Sequence, residues 1–87
     1  MNNPVFMDTL GWIYYLKGSY LNALAEFRDS VELEPENPTI NYHVGIAYYK
    51  NKEPDKAKEY LEKALNIKKE FKGAEEARKL LKDMQKS

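Results

Sequence analysis

The sequence predicts an all-α fold of stacked helical hairpins, and three observations support this prediction. First, two segments repeat each other at a spacing of 34 residues. Second, apolar residues recur at intervals of three and four, the period of a helix with one buried face. Third, no stretch alternates apolar and polar residues as a half-buried strand does. A repeat of this length is typical of arrays built from one supersecondary unit, in which each unit contacts its neighbours.

The repeat is clearest in its small and aromatic residues. A shift of 34 residues superimposes Pro4 on Pro38, Gly11 on Gly45, Tyr14 on Tyr48, Tyr15 on Tyr49 and Ala23 on Ala57. Apolar residues also match in kind, as Phe6 does with Ile40. A glycine inside a helix costs about 1 kcal/mol relative to alanine. We therefore expect each repeated glycine, with the alanine of its unit, to mark a close crossing of two helices.

Helix start and stop signals divide the chain into five predicted helices. Asn3-Pro4 and Asn37-Pro38 are start signals, because Asn caps a helix N-terminus and Pro fits the first helical position. Gly18 ends the first helix, and Ser19 is expected to cap the second. The predicted helices span about Pro4–Lys17, Tyr20–Leu33, Pro38–Lys50, Pro54–Lys69 and Ala74–Lys86.

Each predicted helix has one apolar face for the core. The first helix carries Phe6, Leu10, Ile13 and Tyr14 on one face, and the third is expected to turn Ile40, Val44, Ala47 and Tyr48 inward. The last helix carries an apolar stripe at Ala74, Ala77, Leu80, Leu81 and Met84. Its other faces are charged or polar, as expected of a helix that covers the last repeat and meets water.

The pattern resembles the tetratricopeptide repeat (TPR) family, whose 34-residue units each form a helix A, a turn and a helix B. The first unit has Leu10-Gly11, Tyr14, Ala23, Phe27 and Pro35 at the family's positions. The second has Val44-Gly45, Tyr48, Ala57, Leu61 and Ala64, with Lys52 in place of the turn glycine. The resemblance implies a single domain over residues 1–87, wound as a right-handed superhelix. It places repeat 1 at about 4–37, repeat 2 at about 38–71 and a capping helix at about 74–86.

The resemblance also implies that the A helices line a concave face that binds peptides or partner proteins. The residues at the positions that face it are Val5, Asp8, Trp12, Tyr15, Thr39, Tyr42, Ile46 and Tyr49. Leu16, His43 and Lys50 fall at its margin. Aromatic side chains dominate binding contacts, so these positions predict an aromatic-lined groove. The alternative is that the aromatic residues pack among themselves within the array or between molecules.

One family-specific activity is not expected. TPR domains that clamp a C-terminal carboxylate carry Lys with Asn, or Lys with Arg, at the fifth and ninth positions of helix A. Here those positions hold Asp8 with Trp12 in the first unit, and Tyr42 with Ile46 in the second. The carboxylate clamp is therefore absent.

Two further features bear on association. Residues 1–49 carry two basic and six acidic side chains, a net charge of −4, and residues 50–87 carry twelve basic and eight acidic ones, a net of +4. These charges either solvate the outer helices or attract two molecules head to tail. The first helix has no polar cap before it, so Phe6, Met7 and their neighbours should leave apolar surface open. A preceding repeat or a second subunit would cover it, and a self-associating structural unit is therefore the alternative function.

The composition argues against several other classes. The chain has no cysteine, and its only histidine is His43, so we expect no disulfide and no metal site. No apolar run approaches the roughly 20 residues of a membrane helix and no signal peptide is visible, which favours the cytoplasm. No nucleophile–base pair or phosphate loop appears, so neither an enzyme nor a cofactor is expected. The lysines are interleaved with acidic residues along the second unit, which argues against nucleic-acid binding. They are Lys50, Lys52, Lys56, Lys58, Lys63, Lys68, Lys69 and Lys72.

Overall fold

The computed structural model describes residues 3–86, which form five α-helices. They are α1 (Pro4–Leu16), α2 (Tyr20–Leu33), α3 (Pro38–Lys50), α4 (Pro54–Ile67) and α5 (Ala74–Gln85). The helices α1 and α2 form one hairpin, and α3 and α4 form the next; α2 packs on α3 and α5 packs on α4. No described residue lies in a strand. The predicted all-α fold of hairpin repeats is confirmed, with every helix boundary within two residues of the prediction.

The asparagine caps form as predicted. Asn3 Oδ1 accepts hydrogen bonds from the backbone N–H groups of Val5 and Phe6, at 2.9 and 3.2 Å. Asn37 Oδ1 accepts one from Ile40, at 3.1 Å. In both helices Pro occupies the first turn, where its missing N–H leaves no donor unpaired. The same local chemistry thus starts helix A of both units.

The turn inside each hairpin is a Schellman-type C-cap. In the first unit the N–H of Gly18 donates to Tyr15 O at 3.0 Å, and the N–H of Ser19 donates to Tyr14 O at 2.9 Å. Gly18 has φ +79°, in the left-handed region that glycine tolerates. The prediction that Ser19 caps α2 through its side chain is wrong, because its hydroxyl instead accepts from Asn22 Nδ2. In the second unit Lys52 takes the same left-handed conformation, with φ +63°.

The repeated glycines mark the close crossing of the two helices in each hairpin, as predicted. A Cβ built on Gly11 would lie 2.6 Å from Phe27 Cδ1 and 3.2 Å from the carbonyl oxygen of Ala23. A Cβ on Gly45 would lie 2.7 Å from Leu61 Cδ2. Phe27 and Leu61 are both fully buried, so each fills the space that its glycine leaves open.

Two buried polar side chains connect separate elements by donating hydrogen bonds to backbone carbonyl oxygens. The hydroxyl of Ser30 donates to the carbonyl oxygen of Pro4 at 2.7 Å, which joins α2 to the start of α1. Asn41 is fully buried, and its Nδ2 donates to the carbonyl oxygens of Pro35 and Asn37, at 3.0 and 2.8 Å. Asn41 therefore satisfies carbonyl groups of the turn that joins the two repeats.

The predicted core face of α3 is buried, whereas the apolar face of α1 is partly exposed. Ile40, Val44, Ala47 and Tyr48 are all at most 4% exposed. In α1, by contrast, Phe6 is 66% and Ile13 is 45% exposed. The expectation that apolar surface stays open around Phe6 is confirmed, because within residues 3–86 no helix lies on the outer side of α1 as α2 lies on α3.

Residues 3–86 lack two other kinds of feature. None of the helices there combines the length and the apolar character that a membrane crossing requires. In the same part of the chain, no three His, Cys, Asp or Glu side chains come together in a way that could hold a metal ion.

Candidate functional site

The two A helices, α1 and α3, meet through a polar contact. His43 Nδ1 lies 2.7 Å from Asp8 Oδ1, and the two side chains are only 14% and 18% exposed. Since a carboxylate only accepts hydrogen bonds, the imidazole donates through its Nδ1–H. The bond spans 35 residues of sequence, one period plus one residue. It therefore fixes the lateral register of the A helices of successive repeats.

Aromatic rings form a continuous layer around this contact. Trp12 stacks on Tyr15, with ring centroids 5.1 Å apart and planes inclined by 10°. On its other side Trp12 meets the His43 ring at 5.0 Å, and His43 meets Tyr42 at 5.6 Å. Tyr42 in turn contacts Phe71 edge-on at 6.1 Å. Stacked rings lose little conformational freedom on binding, so the layer is a preorganised surface.

A cavity of about 540 Å³ opens over this layer. It is lined by Asp8, Thr9, Trp12, Ile13, Thr39, Tyr42, His43, Lys72 and Gly73. The volume falls within the range of small-molecule and side-chain pockets, and its walls combine apolar rings with a few polar groups. Gly73 allows the close approach of the Tyr42 ring, because a Cβ at this position would lie 2.5 Å from that ring. The glycine thus lets Tyr42 lie flat against the turn before α5.

A smaller cavity of about 230 Å³ lies on the other side of Trp12 and Tyr42. It is lined by Trp12, Tyr15, Tyr42, Ile46, Tyr49, Lys50, Glu76 and Leu80. The capping helix α5 therefore contributes one wall of the concave face. Burial, together with the charge of Glu76 and the neighbouring Tyr15, raises the pKa of Tyr42 to about 12. The pKa of Tyr15 is also raised, chiefly by burial and then by Tyr20 and Glu76. Both phenols remain protonated hydrogen-bond donors at neutral pH.

The eight predicted surface residues do not all behave alike. Asp8, Trp12, Tyr15, Thr39, Tyr42 and Tyr49 line one or both cavities. Ile46 also lines the smaller cavity, but it is only 4% exposed because α5 packs over it. Val5 is 67% exposed and lines neither cavity. The aromatic residues pack on each other and also line the cavities.

Sequence reasoning missed Thr9, Ile13, Lys72 and Gly73 of the 540 Å³ cavity, and three further contributors. His43, placed at the margin, is the centre of the ring layer and contacts Phe27 as well, at 5.1 Å. The sequence does contain an indication of the contact between Asp8 and His43. Asp8 is at the fifth position of the first helix A, and His43 is at the sixth position of the next. Glu76 and Leu80 of α5 were also missed, since the apolar stripe of α5 shows that it packs but not which groove it borders.

A larger cavity of about 670 Å³ lies beside the concave face. Turn residues and lysines line most of it: Glu34, Pro35, Glu36, Asn37, Pro38, Thr39, Lys68, Phe71 and Lys72. Apart from Phe71 it has no aromatic wall, and its shape depends on two connecting segments. The aromatic cavity of about 540 Å³ is therefore the better candidate site.

The stacked hairpins and their aromatic concave face define a helical repeat protein of the interaction-scaffold class. Residues 11–52 match a family described as TPR repeat, and residues 38–71 match one described as tetratricopeptide repeat. The chain therefore belongs to the tetratricopeptide repeat family. Repeats of this family are generally protein–protein interaction modules and are typically non-enzymatic. No curated protein gives a significant match to the chain.

Proposed function

We propose that this chain binds an extended segment of a partner protein across α1 and α3, with one large side chain in the aromatic cavity. The observation that carries the proposal is the 540 Å³ cavity walled by Trp12 and Tyr42. Both rings are half-buried and held by neighbours, so little side-chain entropy is lost when a partner covers them. Such preorganised aromatic residues are enriched among the residues that dominate binding energy.

The polar groups of the cavity set what it accepts. The Asp8 carboxylate already has the His43 N–H as a partner. A second carboxylate placed beside Asp8 would be repelled, which is consistent with the absent carboxylate clamp. An apolar or aromatic side chain of the partner would be buried against the rings. The hydroxyl groups of Thr9 and Thr39 would form hydrogen bonds with the backbone of the bound segment. No catalytic, cofactor, metal or nucleic-acid role is part of the proposal.

A peptide-display library screened against the chain tests this proposal, because the selection itself reveals which peptide sequences bind. Trp12 is the only tryptophan, so its emission reports directly on occupation of the cavity. Peptides that bind the concave face should shift or quench that emission. The variant Thr9→Arg should abolish binding, because Thr9 is exposed at the cavity and Arg would fill it. The matched control Leu21→Arg changes a residue that is 68% exposed and lines no cavity described above.

A second pair of substitutions addresses the aromatic contacts themselves. The double variant Trp12→Ala with Tyr49→Ala should lose binding of a fluorescently labelled peptide while keeping its helical circular dichroism signal. Selected peptides that bind this variant and Thr9→Arg as tightly as the unaltered chain would rule out the concave face as the site.

Self-association, the alternative predicted from the sequence, rests on the exposed outer side of α1. The apolar surface there favours some association, but the large exposed apolar residues among residues 3–86 all lie at or before Tyr49. Within the described residues, α5 thus offers no large exposed apolar side chain to match in a head-to-tail contact. Self-association stays a prediction, and light scattering at increasing protein concentration tests it.

A further inference from the structure

Tyr49 differs from the other rings of the smaller cavity, the one of about 230 Å³. Tyr15, one period earlier, stacks on Trp12. Tyr49 is 36% exposed and makes no ring contact with any other of residues 3–86. The sequence explains the difference, because Ile46 stands one period after Trp12 and leaves Tyr49 without a ring on which to stack. The face of the Tyr49 ring therefore remains available to a ligand.

The same cavity contains the carboxylate of Glu76, which lies in the first turn of α5 and is exposed. Within residues 3–86 this carboxylate makes no hydrogen bond and no ion pair. Its charge acts on the cavity walls, because it adds to burial in raising the pKa of both Tyr15 and Tyr42. The cavity thus combines a free ring face with a negative charge close to its aromatic walls.

These two groups together select a cationic ligand. The face of an aromatic ring attracts a cation through its quadrupole, and a carboxylate accepts charge-assisted hydrogen bonds from one. We infer that the smaller cavity binds the guanidinium group of an arginine of the partner, packed on the Tyr49 ring and hydrogen-bonded to the Glu76 carboxylate. This inference rests on the proposed binding of an extended segment, and it specifies a second side chain of that segment.

The size and chemistry of the cavity favour arginine over other side chains. Its volume of about 230 Å³ is below the roughly 300 Å³ at which pockets for whole ligands begin, so it fits one side-chain head group. A guanidinium is planar, stacks on rings and offers a fork of N–H donors to a carboxylate, whereas the ammonium of lysine is more strongly hydrated. An acidic side chain would be repelled by Glu76.

One basic residue, Lys50 at the end of α3, lines the same cavity and is exposed. Among the described residues it forms no ion pair, with Glu76 or with any other. The two charges therefore have opposite effects on a bound cation. Loss of the Glu76 charge should weaken binding and reversal of the Lys50 charge should strengthen it, whereas an uncharged ligand would respond to neither change.

The place of the arginine in the segment follows from the relation between the two cavities. Trp12 and Tyr42 line both, so the cavities lie side by side. In an extended segment, side chains on one side recur at every second residue. The arginine is therefore expected about two or four residues from the large side chain that fills the 540 Å³ cavity.

A small-molecule probe tests the cavity without any peptide. N-acetyl-arginine methylamide is titrated into the isotope-labelled chain, and the indole N–H signal of Trp12, the only tryptophan, is followed by NMR. We expect a dissociation constant of about 10–100 mM, and binding at least about fivefold weaker for the citrulline compound, which has the same shape without the charge. Glu76→Gln should weaken the arginine probe by about 3–10-fold, and Lys50→Glu should tighten it by about 2–5-fold. Equal binding of the arginine and citrulline compounds would overturn the inference.

Two control variants make the same charge changes elsewhere. Glu75→Gln removes the neighbouring carboxylate in the first turn of α5, and Lys58→Glu reverses an exposed charge on α4. Neither residue lines one of the two cavities described above. Both variants should leave probe binding within about twofold of the unaltered chain. Effects as large as those of Glu76→Gln and Lys50→Glu would assign the binding to overall charge and overturn the inference.

Peptides selected from the display library test the arginine within a segment. They should carry arginine at the expected spacing, and its replacement by citrulline should weaken binding by about 5–30-fold. If no peptide binds while the probe behaves as expected, the proposed function is overturned and the guanidinium site is supported. If peptides bind the concave face without such an arginine, or tolerate citrulline, the proposed function stands and the inference is overturned. Equal affinities of peptides with arginine, lysine and trimethyllysine would overturn the choice of arginine.

Discussion

The substitution Gly11→Ala tests the packing on which both hairpins depend. Alanine is a better helix former than glycine by about 1 kcal/mol, so an uncrowded site would gain stability. Here the added Cβ would lie 2.6 Å from Phe27 Cδ1, whereas ordinary van der Waals contacts are 3.4–4 Å. Phe27 is fully buried and its flat ring has few alternative positions. The Ala23 carbonyl oxygen at 3.2 Å stops the helices from simply sliding past each other.

The expected result follows from the difference between these two effects. Overpacking a filled core costs about 1–3 kcal/mol, and the crowding at Gly11 falls at the upper end of that range. We therefore expect a net loss of about 1–2 kcal/mol, measured as a fall in melting temperature of about 5–15 °C by circular dichroism. Gly45→Ala should cost less, because the branched Leu61 side chain can change rotamer more easily than a ring can.

A double-mutant cycle and a control separate crowding from other causes. Phe27→Leu should relieve part of the cost of Gly11→Ala, so the two effects should be less than additive by about 1 kcal/mol. Gly18→Ala has no atom within 4 Å and loses stability only through its φ of +79°. No relief should therefore occur between Gly18→Ala and Phe27→Leu. A Gly11→Ala chain at least as stable as the original, or strictly additive effects with Phe27→Leu, would refute the packing argument.

Three further predictions concern the turns, the core and pH. Lys52→Gly should stabilise the chain by about 0.5–1 kcal/mol in urea unfolding, because Lys52 is held at φ +63°, where glycine is not strained; a loss of stability would contradict this. Asn41→Ala should cost about 1–3 kcal/mol in the same assay, because it removes the donor of the part-buried hydrogen bond to the Pro35 carbonyl oxygen and leaves a cavity where the fully buried Asn41 side chain lay; a cost below about 0.5 kcal/mol would show that the bond is not needed. The raised pKa of Tyr42, about 12 when folded against 10 when unfolded, means that the folded state favours the neutral phenol. Its contribution is complete below pH 10 and is lost as the pH rises towards 12, and we expect a loss of only about 1 kcal/mol because the ring partly faces water. Tyr42→Phe should show a flatter decline of melting temperature over that range, and parallel declines would contradict the assignment.

The fold could be predicted almost completely because its signals are local or periodic. Asn3 and Asn37 cap their helices through bonds to the next few residues, and Gly18 ends a helix through its own backbone. The repeated glycines indicated the crossing points before any contact was known. The burial of individual apolar residues is a different matter. Phe6 and Ile13 have the pattern of buried residues, but burial depends on a neighbouring helix, which periodicity within α1 cannot supply.

The candidate site was only partly predictable for the same reason. Family positions identified the rings of Trp12 and Tyr42, because every helix A places those positions on one side. The family positions did not show that His43 lies between them, since its contacts are set by the lateral register of α1 and α3. They also did not show that α5 borders the groove. Both features depend on contacts between elements far apart in sequence.

The packing of α5 over Ile46 limits how much of a ligand the concave face can hold. The two A helices of residues 3–86 line the open surface, and neighbouring helices lie about 10 Å apart, so the footprint on these residues spans roughly six residues of an extended segment. Contacts of that size are small compared with standard protein interfaces, which favours weak binding with fast dissociation. Occupancy would then depend on local concentration. A ligand tethered nearby, or a second contact made at the same time, would raise the apparent affinity far more than any change within the cavity.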